Sequence, residues 1–230
     1  ASLDAEYHGV YSAERQAFQD RILGAVVESG VSQKRPWLIY TAGAMGAGKS
    51  YAVHWMWSEG VFPIEELVHI DPDIFKAALP EWDGYVARDA LNAGRFTRRE
   101  TGYMVERAQH EAMRLAKHVW GDGSLRDGDW YERLLPQLRR DFPAYRIAII
   151  HILARQDVVL ARVRKRGEQT GRRVPEDEVL DSIRRVPESV SRLVPFTDFY
   201  LELDNSERTP LLTRYSTAEC CYALDRSRPG

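Results

Sequence analysis

Cysteine is scarce in this chain of 230 residues, and its two cysteines are adjacent, at Cys220 and Cys221. An adjacent pair does not supply a disulfide framework, so the small disulfide-stapled folds are excluded and a reducing compartment is expected. Long apolar runs are also missing. None approaches the about 20 residues that cross a bilayer, and the first residues lack the basic and apolar regions of a signal peptide. These absences predict a cytoplasmic protein without a membrane segment.

An excess of charge of one sign is absent as well. The chain carries 32 lysines and arginines against 34 aspartates and glutamates, for a formal net charge of −2. Any site for an anionic ligand or nucleic acid must therefore come from local clustering of charge. Hydrophobic residues make up 44% of the sequence, enough for one substantial core, and a single domain over residues 1–230 is expected.

Short apolar runs alternate with helix-forming segments along the chain, which predicts a parallel sheet covered on both faces. Strands are predicted at 37–42, 67–70, 118–121, 145–154 and 199–203. Helices are predicted at 12–28, 49–58, 74–78, 98–116, 157–166 and 176–185. The fold class is therefore an α/β/α sandwich around a five-stranded, mainly parallel sheet, with a core at 37–205. The tail, 206–230, shows no clear pattern, and part of it is expected to be disordered.

A glycine-rich loop separates the first predicted strand from the helix after it. The segment GAMGAGKS, residues 43–50, fits the phosphate-loop pattern G-x-x-x-x-G-K-[ST] in the strand-to-helix context that this pattern requires. Backbone N–H groups in such a loop turn toward one anion, at the positive end of the following helix. Lys49 is expected to neutralise phosphate charge, and the Ser50 hydroxyl to ligate Mg²⁺. The alternative is a glycine-rich turn that binds nothing. The residues expected to contact the nucleotide are Gly43, Ala44, Met45, Gly46, Ala47, Gly48, Lys49, Ser50 and Tyr51.

Two acidic segments follow predicted strands, at the sheet edge where ligands gather in open α/β folds. Asp71 and Asp73 come after the second strand, and a small-molecule kinase needs such a carboxylate to accept a proton from a substrate hydroxyl. The alternative there is an Asp-Pro turn whose aspartate caps the next helix. Asp122 follows the third strand and is the candidate Walker B carboxylate near the metal, with Ser124 and Arg126 in the same loop. The alternative there is an ordinary Asp-Gly turn.

Basic residues cluster near the predicted 157–166 helix, and they are Arg162, Arg164, Lys165, Arg166, Arg172 and Arg173. Arginines on a mobile lid stabilise a transferring phosphoryl group, and Gly167 and Gly171 would be its hinges. The alternative is a solvated basic face or an RNA-binding strip, but no aromatic residue is interleaved for base stacking, so nucleic acid is disfavoured. In the 98–116 helix, glutamates at 100, 106 and 111 are expected as surface i,i+4 partners, unless one reaches the site.

The segments GAMGAGKS, HIDPDIFK, WGDGSLRD and TGRRVP, in this order and spacing, resemble the zeta toxin family of P-loop kinases, over about residues 11–205. The resemblance implies an ATP- and Mg²⁺-dependent kinase that phosphorylates a hydroxyl of a nucleotide-linked acceptor. Characterised bacterial members act on the amino sugar of UDP-N-acetylglucosamine. An antitoxin-like protein partner is a further expectation.

Matched to the family's motifs, the phosphate-binding lysine is Lys49 and the metal-side hydroxyl is Ser50. The resemblance makes Asp73 the catalytic base and Asp122 the acid of the E/D-G-T/S segment. Further matches give contacts to the transferring phosphate or to the acceptor, and they are Asp71, Glu106, Ser124, Arg126, Arg166, and Arg172 or Arg173.

Asp122 stands where bacterial toxins have glutamate, and no acceptor-recognition loop of those toxins is matched. Three rival functions remain: a kinase of the ribose in a dinucleotide, a polynucleotide 5′-hydroxyl kinase, and a nucleotide-binding partner module without turnover. Asp73 and the arginines favour an enzyme, because a pure binder needs neither.

Overall fold

The structure is a computed structural model that describes residues 9–90, 92–170, 174–217 and 220–223. The strands are β1 (Trp37–Ala42), β2 (Leu67–Ile70), β3 (His118–Gly121), β4 (Arg146–Leu153), β5 (Phe199–Asp204), β6 (Leu211–Thr217) and β7 (Cys220–Ala223). They form one seven-stranded sheet in the order β2-β3-β1-β4-β5-β6-β7. Strands β1 to β5 pair in parallel, and β6 and β7 add antiparallel ribbons at one edge.

Helices cover both faces of this sheet. They are α1 (Ala13–Glu28), α2 (Lys49–Ser58), α3 (Pro72–Ala78), α4 (Trp82–Asp89), α5 (Ala93–Arg114), α6 (Gly128–Asp141), α7 (Gln156–Thr170) and α8 (Glu176–Leu193). One core joins the sheet to α1, α3, α5, α6 and α8, and a second, smaller core joins it to α2. Among the described residues, no helix is both long and apolar enough to cross a membrane.

Strand β1 lies in the middle of the parallel strands because its side chains are apolar on both faces of the sheet. Leu38 and Tyr40 belong to the larger core, and Ile39 packs against the α2 side. Such a strand has no face to leave in water, so it takes a central place in the sheet. Its neighbours are β3 and β4, with Leu38 opposite Val119 on one side and Ile147 on the other. The loops after β1, β2 and β3 therefore emerge side by side at the carboxyl edge.

The α/β/α architecture and the mainly parallel sheet are confirmed, but the predicted number of five strands is too low. Two further strands, β6 and β7, come from the segment predicted as an uninformative tail. Residues 211–217 carry leucine, threonine and tyrosine, and they complete the exposed edge of β5, which local sequence pattern does not reveal. Helices α4 and α6 were not predicted, and α8 continues past Pro187 to Leu193 because its apolar stripe is buried along its whole length.

Candidate active site

The loop at residues 43–48 leads directly from β1 into α2. Gly46 and Gly48 have φ angles of +85° and +86°, in the left-handed region that side chains with a Cβ rarely adopt. A Cβ on Gly46 would also lie 2.9 Å from the carbonyl oxygen of Val159, on α7. The loop shape therefore requires glycine at both positions, and it presents the first turn of α2 to the sheet edge.

Three side chains from distant segments hold this loop in place. Asn205, which follows β5, donates from Nδ2 to the carbonyl oxygens of Ala47 (2.8 Å) and Gly48 (3.3 Å). Arg162 of α7 donates to the same Ala47 oxygen, and Ser182 of α8 accepts from the Met45 N–H. Asn205 was not predicted as a site residue, although its place just after the last parallel strand was a usable signal.

Lys49 lies where the acidic segments converge. Its Nζ donates to the carbonyl oxygen of Gly43 at 3.2 Å. Burial lowers the pKa of Lys49, and nearby Arg166 lowers it further, while the carboxylates of Asp122, Asp71 and Asp73 act in the opposite direction. The structure thus brings together five predicted site residues, contributed by α2, α7 and the ends of β2 and β3.

Asp122 is anchored by the two strands that flank β3 on the sheet. Its Oδ1 accepts from the Thr41 hydroxyl of β1 at 2.8 Å, and its Oδ2 lies 3.8 Å from Nε2 of His69 on β2. Burial by itself raises the pKa of Asp122, but His69, the Thr41 hydrogen bond and the Lys49 ammonium outweigh it and hold that pKa below its ordinary value. The carboxylate is therefore ionised at neutral pH.

The two aspartates after β2 take different positions. Asp71 caps α3, and its Oδ1 accepts from the Asp73 N–H at 2.8 Å. Helix capping therefore occurs here as in the alternative interpretation, with Asp71 as the cap and Pro72 as the first helical residue. Asp73 in the first turn of α3 has a half-exposed side chain, whose Oδ1 accepts from Lys76 Nζ at 2.7 Å. Half of the Asp73 side chain is therefore exposed to solvent beside Lys76.

A divalent cation fits the donor groups beside Lys49. His69, Asp71 and Asp122 each offer one ligand atom, and these atoms lie within 4.8 Å of one another. Nε2 of His69 is buried and has no hydrogen-bond partner among the described residues. Ser50, the other predicted metal ligand, lies exposed in the first turn of α2. His69 is not among the predicted site residues, although alternate residues of an extended segment, such as His69 and Asp71, point to the same side.

The loop after β3 is close to the phosphate loop, because the Gly43 N–H lies 3.4 Å from the Ser124 carbonyl oxygen. Within it, the Ser124 hydroxyl accepts from the Arg126 N–H at 3.3 Å. Leu125 between them has a φ of +54° and is buried, a conformation that costs about 1–2 kcal/mol in a residue with a side chain. The Leu125 side chain anchors the loop in the core and leaves Ser124 and Arg126 only partly buried.

The remaining predicted residues are less closely connected to this centre. Tyr51 donates its hydroxyl to the Arg208 carbonyl oxygen, and Glu106 is exposed on α5. Arg172, Arg173 and the second predicted hinge, Gly171, lie outside the described residues. Gly167, predicted as a lid hinge, is buried inside α7, so that prediction is wrong: the helix runs four residues beyond the predicted end at 166 and is helical through the glycine.

Two of the three glutamates on α5 have clear partners. Glu111 pairs with Arg114 on the surface, as expected. Glu100, expected on the surface, is fully buried, because Arg15 and Gln19 of α1 supply donors to its carboxylate. Neither contact belongs to the candidate active site.

Comparison with known families agrees with the geometry. A sequence model of the zeta toxin family matches residues 23–201, which include the phosphate loop, both acidic segments and the first part of β5. The chain belongs to the zeta toxin family. No match was found among curated protein sequences.

Solved structures share the fold of this zeta toxin family member. The PezAT toxin–antitoxin system of Streptococcus pneumoniae matches with a TM-score of 0.68 and 17% identity, over 86% of this chain and 81% of the other. The native AvrRxo1-ORF1:ORF2 complex matches with a TM-score of 0.66 and 14% identity, over 97% of this chain and 76% of the other. The same complex with ATP has a TM-score of 0.65 at 15% identity, over 97% and 76%. At these identities the likeness is one of fold.

Proposed function

We propose that the protein is an ATP-dependent kinase that transfers the γ-phosphoryl group to a hydroxyl of a nucleotide-linked acceptor, such as a UDP-N-acetyl amino sugar. The observation that carries this proposal is the convergence of Asp71, Asp73 and Asp122 on Lys49, beside a loop shaped for phosphate. A nucleotide-binding module without turnover would need the loop and the lysine, but it would not need a cluster of carboxylates next to them.

The proposed reaction uses groups with separate tasks. Loop N–H groups and Lys49 hold the ATP phosphates, and Asp73 takes the proton of the acceptor hydroxyl. The hydroxyl oxygen forms the new bond to the γ-phosphorus as the bond to the β–γ bridging oxygen breaks, and ADP leaves. Lys49 and Arg166 offset the negative charge on the transferring group. A divalent cation held by Ser50 and Asp122 would supply further charge neutralisation when it is bound.

The acceptor is the finer part of the proposal. The amino-sugar nucleotide is supported by family membership, and acceptor contacts are proposed for Asp71, Glu106, Ser124 and Arg126. Arg172 and Arg173 are proposed to contact the phosphoryl group together with Arg166. A protein partner of antitoxin type is also proposed, because one matched structure belongs to a toxin–antitoxin system and another is a two-protein complex.

Phosphate transfer from labelled ATP tests the proposal. The wild type is incubated with UDP-N-acetylglucosamine, a dinucleotide and a 5′-hydroxyl oligonucleotide, and products are identified by mass spectrometry. Asp73→Asn is expected to lower kcat by about 10²–10⁴-fold, the usual contribution of a general base, with ATP affinity unchanged. Asp83→Asn, an exposed aspartate in the first turn of the neighbouring α4, is the matched control and leaves kcat unchanged.

Each outcome has a defined meaning. Transfer to one of the other acceptors would reject the amino sugar as the acceptor and would support the kinase activity. Tight ATP binding with no transfer to any acceptor in a metabolite extract discards the kinase in favour of a binding module. Full activity of Asp73→Asn removes Asp73 as the base.

A further inference from the structure

We infer that His69 is a direct ligand of the divalent cation at this site and that its nitrogen makes the site prefer a first-row transition-metal ion such as Mn²⁺ over Mg²⁺. The inference rests on the proposed function, because it names a ligand for the cation of that same site. The family resemblance gave only Ser50 and Asp122 as metal residues.

The first support is the placement of the three donor atoms. Ligands on one ion at 2.0–2.3 Å lie about 3 Å apart when adjacent and about 4.4 Å apart when opposite. The donor atoms of His69, Asp71 and Asp122 lie within 4.8 Å of one another, so a small side-chain adjustment closes them around an ion. Asp71 uses Oδ1 for the helix cap and keeps Oδ2 for a ligand.

The second support is the condition of the histidine ring. Its Nε2 atom is buried and makes no hydrogen bond of normal length among the described residues, and it lies 3.8 Å from Asp122 Oδ2, whose pKa it helps to lower. A buried nitrogen without a partner is unfavourable unless something else occupies it. The ring is also fixed, because it stacks on Trp120 with 3.7 Å between centroids and 9° between planes. The stack therefore fixes the plane of the ring whose Nε2 lies beside Asp122.

The third support is the chemistry of the donor set. Mg²⁺ demands oxygen ligands in near-ideal octahedral geometry, whereas imidazole nitrogen suits first-row transition metals. Asp71 and Asp122 both lie close enough to the Lys49 ammonium to oppose the lowering of its pKa by burial. Burial and the charge of Asp122 in turn raise the pKa of Asp71, so a cation beside the two carboxylates is electrostatically favoured. One nitrogen and two carboxylates together favour a first-row transition-metal ion over Mg²⁺, and Mn²⁺ is a paramagnetic member of that series.

The test uses Mn²⁺ as the probe and nucleotide-free protein. Electron paramagnetic resonance gives the Mn²⁺ affinity, and electron spin-echo modulation reports nitrogen bound to the ion. The wild type is expected to show histidine nitrogen modulation and to bind Mn²⁺ at least about tenfold more tightly than Mg²⁺ in competition. His69→Phe keeps the ring stack on Trp120, and it is expected to lose the modulation and at least about tenfold in Mn²⁺ affinity.

The control is His54→Gln. His54 is the histidine of α2, and its Nδ1 lies 2.7 Å from the Ser50 carbonyl oxygen. The His54→Gln variant is expected to keep both the nitrogen modulation and the Mn²⁺ affinity of the wild type. Unchanged Mn²⁺ affinity and modulation in His69→Phe, or loss of modulation in His54→Gln instead, overturns the inference. Should His69→Phe fail to fold, ¹⁵N-histidine labelling of the wild type and of His54→Gln gives the same decision.

Failure of this inference is separate from failure of the kinase proposal. If the protein transfers phosphate but its Mn²⁺ affinity does not depend on His69, His69 is not a metal ligand and the kinase proposal stands. If Mn²⁺ binding depends on His69 but no phosphate is transferred, the metal ligand stands and the kinase proposal is rejected.

Discussion

Asn205 and Gly48 are in direct contact although 157 residues separate them: the Asn205 amide donates to the Gly48 carbonyl oxygen at 3.3 Å. The same amide nitrogen occupies the space that a side chain at position 48 would need. The end of the last parallel strand therefore shapes the phosphate loop, and the loop glycine leaves room for the side chain that holds it.

Removing the Asn205 amide should loosen the loop. Asn205→Ala removes two hydrogen bonds to the loop, each worth about 0.5–1.5 kcal/mol, while the Ala47 oxygen keeps Arg162 and the Gly48 oxygen keeps the Ala52 N–H. We expect ATP affinity to fall about tenfold, measured by calorimetry, since 1.4 kcal/mol is tenfold in an equilibrium constant. Asn92→Ala, which removes a hydrogen bond to Asp89 outside the site, should leave ATP affinity unchanged. Equal affinity of wild type and Asn205→Ala would mean that the loop keeps its shape unaided.

A methyl group at position 48 should be costly for two separable reasons. Gly48→Ala forces an alanine to a φ of +86°, which costs about 1–2 kcal/mol, and places its Cβ against Asn205. We expect lower unfolding free energy in urea and loss of ATP binding. The double variant Gly48→Ala with Asn205→Ala should be more stable than the sum of the two single changes, because the overlap is gone. Strict additivity would show that the contact between the two residues carries no energy.

Arg15 on α1 neutralises a buried acidic pair. It contacts Glu100 at 2.7 Å and Glu81 at 2.9 Å, and the Glu100 side chain is fully buried. Arg15→Met removes the guanidinium that pairs with both carboxylates, and we expect a loss of about 3–5 kcal/mol in unfolding free energy by chemical denaturation. Arg114→Met, which breaks the exposed pair with Glu111, should leave the unfolding free energy nearly unchanged. Adding Glu100→Gln to Arg15→Met should restore part of the loss.

His151 makes stability depend on pH. It is 3% exposed on β4, and burial lowers its pKa from 6.5 to about 4, with Glu202 opposing and Arg214 adding to the shift. The unfolded chain takes up this proton below about pH 6.5 while the folded chain stays neutral, so stability present at higher pH is lost between about pH 6.5 and 4. The loss amounts to up to about 3 kcal/mol. Urea unfolding across this range should show it.

The matched comparison for that pH dependence is His151→Gln, which cannot protonate and retains a polar group for the Tyr200 hydroxyl. Its unfolding free energy should fall less steeply below pH 6.5 than that of the wild type. Replacing exposed His110 by glutamine should leave the wild-type slope unchanged. Parallel pH curves for wild type and His151→Gln would remove His151 as the cause.

The sequence was most informative for strands that are buried on both faces of the sheet and for loops whose backbone shape requires a sequence motif. The bounds predicted for β1, β2 and β3 match the structure, because apolar runs such as 37–42 end at glycine or aspartate. The pattern failed at β6, which is specified by the free edge of β5. It also failed at Glu100, because the arginine that permits its burial lies 85 residues earlier. The partner strand β5 and the partner residue Arg15 both lie outside the short stretch of sequence from which β6 and the position of Glu100 would be predicted.

The same division holds within the candidate site. Lys49, Asp71, Asp73 and Asp122 could be named because each follows a predicted strand at one edge of the sheet. Asn205, Thr41 and His69 act through contacts between strands that are distant in sequence, and these contacts depend on the order of strands in the sheet. Motif spacing records where the chain turns, but it does not record which strands become neighbours.

The central position of β1 has a consequence for how the protein is made. Its partner strands β3 and β4 are both synthesised well after it. Leu38 can pair with Val119 and Ile147 only when those residues have left the ribosome. A nascent chain that has released the phosphate loop still lacks Asp122 and the Asn205 amide that holds the loop. Full nucleotide affinity is therefore expected only after translation has passed residue 205, and fragments that end earlier should bind ATP more weakly than the full chain.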